Sequence, residues 1–201
     1  MIKCIFATMK ILTILICLIS FNLSAKELVY NITSSGLSIG QIKVNKVFNN
    51  GLVKITAKSD VKVDLFVTLD VSYSLNSTYK NNELLNSTVI TFVNGKEHSK
   101  TITKKVDNYY LITNNNDSKK ISHPILYSGS LLYFIPPNQH KTVYSEIDGI
   151  EKPIKEISNF KFQITNPINE HTSIYEYKNN VAYKITIHHT LLTFTLTLIN
   201  S

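Results

Sequence analysis

Residues 50–58 read Asn-Gly-Leu-Val-Lys-Ile-Thr-Ala-Lys (NGLVKITAK) and carry two β signals at once. Asn50-Gly51 tolerates positive φ at both positions, as the type I′ turn of a two-residue hairpin demands. Behind the turn, Val53, Ile55 and Ala57 fall on one face, and Lys54, Thr56 and Lys58 on the other. A period of two with one apolar side describes a half-buried strand.

The same signals recur along the chain. Asn81-Asn82, Asn94-Gly95, Asp148-Gly149 and Asn179-Asn180 each separate alternating segments, with Val93 facing Lys96 and Ile147 facing Ile150 as expected cross-strand neighbours. Tyr183, Ile185 and Ile187 hold odd positions, whereas Phe194, Leu196 and Leu198 hold even ones. That slip predicts a bulge or short break near His188-His189-Thr190. About ten strands joined mainly as an antiparallel meander make a sheet that curls or closes. The expected fold is all-β, a barrel or half-barrel with one short apolar plug segment. The polar run Thr113 to Lys120 is expected to be a loop between the two halves of the sheet.

Lys3 and Lys10 precede the apolar run Ile11 to Ile19, followed by Ser20-Phe-Asn-Leu-Ser-Ala25. This is the layout of a signal peptide, with cleavage expected after Ala25, leaving a single β domain over 26–201. The run is about half the ~20 residues needed to span a bilayer, so no transmembrane span is expected once the leader is removed. Cys17 follows the bulky Ile16, which argues against lipid attachment. Both cysteines, Cys4 and Cys17, lie in the leader, so disulfides cannot hold the domain. The protein is expected to be exported, as a periplasmic or envelope-associated chain.

Without Lys3 and Lys10 the 21 basic residues fall to 19 against 14 acidic ones, a net charge of about +5. Every basic residue is lysine, and the lysines are scattered. Arginine supplies the bidentate contacts to guanine and phosphate, so nucleic acid is not an expected partner.

One stretch breaks the alternation: SGSLLYFIPPNQHKTVYSEIDG, residues 128–149. Ser128 or Ser130 is placed to cap a short helical turn with Leu131, Phe134 and Ile135 on one face, stopped by Pro136-Pro137. Pro124 to Pro137 therefore reads as a plug across the concave sheet, either filling the core or forming a lid over a ligand cavity. Tyr127, Leu131, Tyr133, Phe134 and Tyr144 are the candidate ligand-binding residues, offering apolar area with polar tips.

The runs SGSLLYFIPP, VYSEIDGIEKPI, YEYKNNVAYKITI and FTLTL, with the early YNITSSGLSIGQIKV, resemble a family of exported proteins of unknown function found mainly in Bacteroidota. That family is similar to half-barrel proteins related to lipoprotein carriers, which hold apolar groups against a curved sheet. The resemblance implies ligand binding by fold analogy and brings no catalytic residue.

Chemistry-bearing patterns are sparse. The six histidines show no metal-site spacing, and His188 and His189 point to opposite strand faces. Neither a Gly-x-Ser-x-Gly elbow nor a glycine-rich phosphate loop occurs. Glu146, Asp148 and Glu151 gather near Tyr144, but carboxylates beside a tight turn are expected to be solvated. No enzyme, metal or cofactor is therefore expected. The partners are an apolar or lipid-like ligand or, alternatively, an envelope protein docking on a strand edge.

Phe134→Ala should cost about 3–5 kcal/mol if this ring anchors the plug. A denaturant melt reads it, and a midpoint equal to wild type would place the ring at the surface or in a mobile lid.

Overall fold

The computed structural model describes residues 24–64, 68–190 and 192–201. The expected leader lies outside them except for Ser24 and Ala25, which begin the first strand. The first eight strands are β1 (Ser24–Ser34), β2 (Leu37–Asn49), β3 (Leu52–Asp64), β4 (Thr68–Lys80), β5 (Glu83–Val93), β6 (Lys96–Val106), β7 (Tyr109–Asn114) and β8 (Asp117–Ile121). After a 3₁₀ turn at Gly129–Tyr133 come β9 (Thr142–Ser145), β10 (Ile150–Ser158), β11 (Lys161–Thr165), β12 (Thr172–Lys178), β13 (Val181–His188) and β14 (Thr193–Asn200).

All fourteen form one antiparallel sheet in the order β8-β7-β6-β5-β4-β3-β2-β1-β14-β13-β12-β11-β10-β9. The chain is a meander whose first and last strands pair with each other. Such a meander would be a closed ring, but β8 and β9 stand at opposite edges. The ring is broken at one link, residues 122–141, which contains the plug. The barrel-like all-β expectation holds, with fourteen strands among the described residues where about ten were expected. Short strands such as β8, β9 and β11 span only four or five residues, too few to establish a clear alternation.

Four expected turns are present. Asn49–Leu52, Lys80–Glu83, Val93–Lys96 and Lys178–Val181 are the closing pairs, and both loop residues of each have positive φ. Three expectations change. The run Thr113 to Lys120 is a hairpin, closed by Asn114 and Asp117, because β8 is an edge strand whose exposed Asp-Ser-Lys-Lys needs no apolar face. Asp148-Gly149 is not a two-residue loop: Ser145 pairs with Ile150, and the Gly149 N–H donates to the Ser145 carbonyl over 2.7 Å, so the turn holds four residues. Near His188 the chain reverses, with His188 opposite Thr193, so the parity slip marks the hairpin between β13 and β14.

The inner face carries the core, including Leu28, Tyr30, Val44, Ile55, Ala57, Leu84, Ile112 and Ile185, all essentially inaccessible. Each large apolar side chain contributes roughly 1.5–3 kcal/mol on full burial. This face holds the fold without disulfides, since the described residues contain no cysteine.

The sheet overlaps itself where it fails to close. The β9–β10 turn tucks onto the inner side of β6 and β7. Thr101 Oγ1 donates to the Ile147 carbonyl over 2.7 Å, Thr103 Oγ1 meets the Tyr144 hydroxyl at 2.6 Å, and Asn114 Nδ2 donates to the Asp148 carbonyl over 3.2 Å. Thr101 and Thr103 are buried, and their hydroxyls satisfy turn and tyrosine groups that would otherwise lose water.

Gly40 lies at an irregularity in the β1–β2 pairing. The β1–β2 register shifts so that Ile32 faces Gly40 while Thr33 faces Ser38. A Cβ on Gly40 would lie 2.4 Å from the Asp60 carbonyl oxygen and 2.9 Å from Val61 Cγ1. Gly40→Ala must therefore push β2 and β3 apart and should cost about 1–3 kcal/mol. A lowered urea midpoint with an unchanged m-value is the expected result, and an unaltered midpoint would show that the strands part freely.

Candidate functional site

Leu131 and Leu132 of the 3₁₀ turn are buried against the inner face of the sheet, and Phe134 caps the turn. Ser128 precedes the turn in extended backbone, but its side chain makes no cap. It is used elsewhere. Ser128 Oγ donates to Glu146 Oε1 over 2.6 Å, and the Ser130 N–H donates to the same oxygen over 3.1 Å. Ser77 Oγ adds a donor at 3.3 Å.

Tyr79 joins the two serines to the strand wall. Its hydroxyl lies 2.5 Å from Ser128 Oγ and 2.6 Å from Ser130 Oγ. A carboxylate only accepts, so Ser128 must donate to Glu146 and accept from Tyr79, and Ser130 must then donate to Tyr79. One proton order satisfies the whole chain. Glu146 is 2% exposed and Ser128 and Ser130 are fully enclosed, so the network is shielded from water. Gly129, between the serines, leaves room for the carboxylate, since a Cβ there would sit 2.8 Å from Glu146 Oε2.

Glu146 corrects an expectation, because the carboxylates of this turn are neither clustered nor uniformly solvated. The four-residue turn sends Glu146 inward. Asp148 Oδ2 instead accepts from Ser145 Oγ and pairs with Lys152, each at 2.6 Å, and Glu151 meets His123 at 2.9 Å. Sequence reading also missed Tyr79, Tyr73 and Tyr175. The available signal was the repeat of Tyr73, Leu75, Ser77 and Tyr79 on one strand face, opposite a plug with two serines flanking a glycine.

The five candidate residues occupy different surroundings. Tyr127 is buried, stacks on His140 with ring centroids 4.3 Å apart and donates to the Ile135 carbonyl. Leu131 and Phe134 are buried, with Lys46 Nζ 5.5 Å from the Phe134 ring centre. Ile135, expected on the same face, is 41% exposed because the chain leaves the turn at Phe134 and enters the buried prolines. Tyr144 is buried through its bond to Thr103. Tyr133 alone of the five is half-buried instead of buried, with its ring 5.6 Å from that of Tyr30.

Tyr133 shares that property with Tyr73 on β4 and Tyr175 on β12. All three are half-buried and pack against the core. Desolvation by the surrounding protein pushes each phenol well above its usual range, and the Glu146 charge pushes each further. Each of the three keeps part of its area accessible at the margin of the core. Ile39, Val61, Ile187 and Phe194 are also half-buried against the core. On β5, Ser87 Oγ and Thr91 Oγ1 are buried without a hydrogen-bond partner among the described residues, and Thr91 is directly opposite Tyr73. The interior thus combines apolar and hydroxylated walls.

Tyr79→Phe keeps the ring and removes the hydroxyl that links both serines. It should destabilise the fold by about 1–3 kcal/mol, as expected when buried polar groups lose a partner. Chemical denaturation against wild type measures this, and equal midpoints would mean that the plug is held by packing alone.

No curated protein matches the chain. Among solved structures it is similar to a β-barrel-like protein of the domain of unknown function DUF1849 from Brucella abortus, with a TM-score of 0.55 and 9% identity. The match covers 90% of this chain and 98% of that one, and it supports the fold alone. The model of the domain of unknown function DUF6134 matches residues 30–199, from β1 through β14, and the chain belongs to that family.

Proposed function

We propose that this is an exported, non-catalytic binding protein of the cell envelope that holds an apolar or amphipathic, lipid-like ligand inside its rolled sheet. The carrying observation is the set of inward tyrosines, Tyr73, Tyr133 and Tyr175, which keep accessible area where burial raises their phenols. A side chain that only filled the core would have lost that area. Beside these rings the unpartnered Thr91 and Ser87 hydroxyls offer hydrogen bonds to a polar end of the ligand. In this reading Tyr133 touches the ligand, and Tyr127, Leu131, Phe134 and Tyr144 form the floor that holds the plug and the β9 turn in place.

Export is proposed from the leader-like residues 1–25, and a kinship with lipoprotein-carrier half-barrels and an origin in Bacteroidota are part of the same proposal. No helix among the described residues is long and apolar enough to cross a membrane. No group of three or more metal-ligating side chains occurs among them either.

A second reading draws on the β8 edge. Asp117–Ile121 pairs only with β7, which leaves its outer backbone groups available for strand addition by a protein partner. Lys119 and Lys120 on this edge discourage indiscriminate pairing.

Native mass spectrometry of the protein purified without detergent separates the two. Adducts of lipid-like mass are expected on wild type, and they should be lost in Tyr175→Trp, whose larger ring fills the space. A bare wild-type mass would remove the carrier reading, and a protein partner without such adducts would favour the edge.

A further inference from the structure

We propose that the outer face of the sheet carries a site, separate from the interior, for a small water-soluble ligand whose phosphate group is held between Lys43 on β2 and Lys58 on β3. The alternation that buries Ile42, Val44, Ile55 and Ala57 turns their neighbours outward. Lys43 and Lys58 are both exposed and stand directly opposite each other in the β2–β3 register. Like charges so placed repel and weaken the pairing of their strands. No acidic side chain forms an ion pair with either lysine among the described residues.

Elsewhere the sheet relieves its facing lysines. Lys62 stands opposite Asp70, with Nζ 4.0 Å from Oδ1, and Lys161 and Lys184 lie on either side of Glu176 at 3.6 and 3.7 Å. A second facing lysine pair, Lys26 and Lys46, is relieved differently, since Lys46 Nζ lies 5.5 Å from the centre of the Phe134 ring. Lys43 and Lys58 have neither device. A phosphate dianion between the two ammonium groups supplies the missing counter-charge, in the manner of lysines that hold phosphates as point charges.

The two lysines also share a groove of about 570 Å³, lined beside them by Gln41, Asn45, Thr56 and Asp60. That volume lies within the range of small-molecule sites. Asn45 faces Thr56 at one end and Gln41 faces Asp60 at the other, with the lysine pair between them. Asp60 repels an anion from its own end and accepts hydrogen bonds from hydroxyl groups. The ligand is therefore oriented, with its phosphate on the lysines and a hydroxylated body toward Asp60 and Gln41. No apolar side chain lines the groove among the described residues, so it offers nothing to an acyl chain.

The test follows backbone amide shifts by NMR while glucose 6-phosphate, and separately glucose, is titrated into the purified protein at a constant ionic strength of about 0.15 M. Glucose 6-phosphate should give saturable shifts centred on Gln41, Lys43, Asn45, Thr56 and Lys58, and glucose should give none there. Lys58→Met should weaken glucose 6-phosphate at least about fivefold, as the loss of one contact between opposite charges at the surface requires. Lys54→Met removes an exposed lysine of the same strand face that does not line the groove. It lies about 13 Å along the strand from Lys58 at ~3.3 Å per residue, beyond the screening length of ~8 Å, and its loss should change binding by no more than about twofold. The absence of saturable shifts, equal binding of glucose, or equal effects of the two substitutions would each overturn the proposal. Co-sedimentation of the protein with phosphatidylglycerol vesicles that Lys58→Met abolishes would replace the soluble ligand by a membrane surface and overturn it as well. Both lysines substituted are exposed, so neither variant puts the fold at risk.

Discussion

The bond network around Glu146 is the constraint from which the rest of the interior follows. A carboxylate in an apolar barrel is tolerated only when donors converge on it, and here those donors come from separate parts of the chain: Ser77 on β4, and Ser128 and Ser130 in the plug. Satisfying one group therefore fixes the plug against the strand wall. Tyr79 completes the link, because its hydroxyl can serve both serines only when they sit on either side of it. The plug is thus positioned by directional bonds as well as by the burial of Leu131, Leu132 and Phe134.

The failure of the sheet to close has the same origin. A meander whose termini pair needs only a β8–β9 contact to become a barrel. The link between these strands is instead committed to the interior, with Ile125 accepting from the Leu84 N–H at 2.9 Å and Tyr177 donating to the Leu132 carbonyl over 2.8 Å. Once that link passes inside, β9 lands on the inner face of β6 and β7 and cannot reach the outer edge of β8. Thr101 and Thr103 replace backbone pairing at that overlap. The result is a plug and a turn fixed by directional bonds against the inner side of the sheet.

Much of the fold was legible from local chemistry. Asn50-Gly51, Asn81-Asn82, Asn94-Gly95 and Asn179-Asn180 specify their turns because each pair tolerates positive φ, and the alternating segments beside them specify which face is buried. The plug was legible as the interruption of that alternation. Polar edge strands were not. Asp117–Ile121 has no apolar face to report, since it is wet on both sides. The Asp148-Gly149 pair misled for a related reason. A favourable turn dipeptide does not say where the strands begin, and the bond from Gly149 back to Ser145 widened the loop.

The sequence by itself determined most of the longer strands and their turns, the apolar inner face and the absence of a cysteine framework from the domain, because period and turn preference act over a few neighbouring residues. Only the tertiary structure decided that Glu146 faces inward, that Ser128 serves a carboxylate instead of a helix cap, and that Tyr73, Tyr133 and Tyr175 pack half-buried against one core. Those outcomes depend on which strands become neighbours when a fourteen-stranded sheet rolls up. A carboxylate beside a turn looks the same in sequence whether it meets water or three buried donor groups, and only the packing of distant segments distinguishes the two.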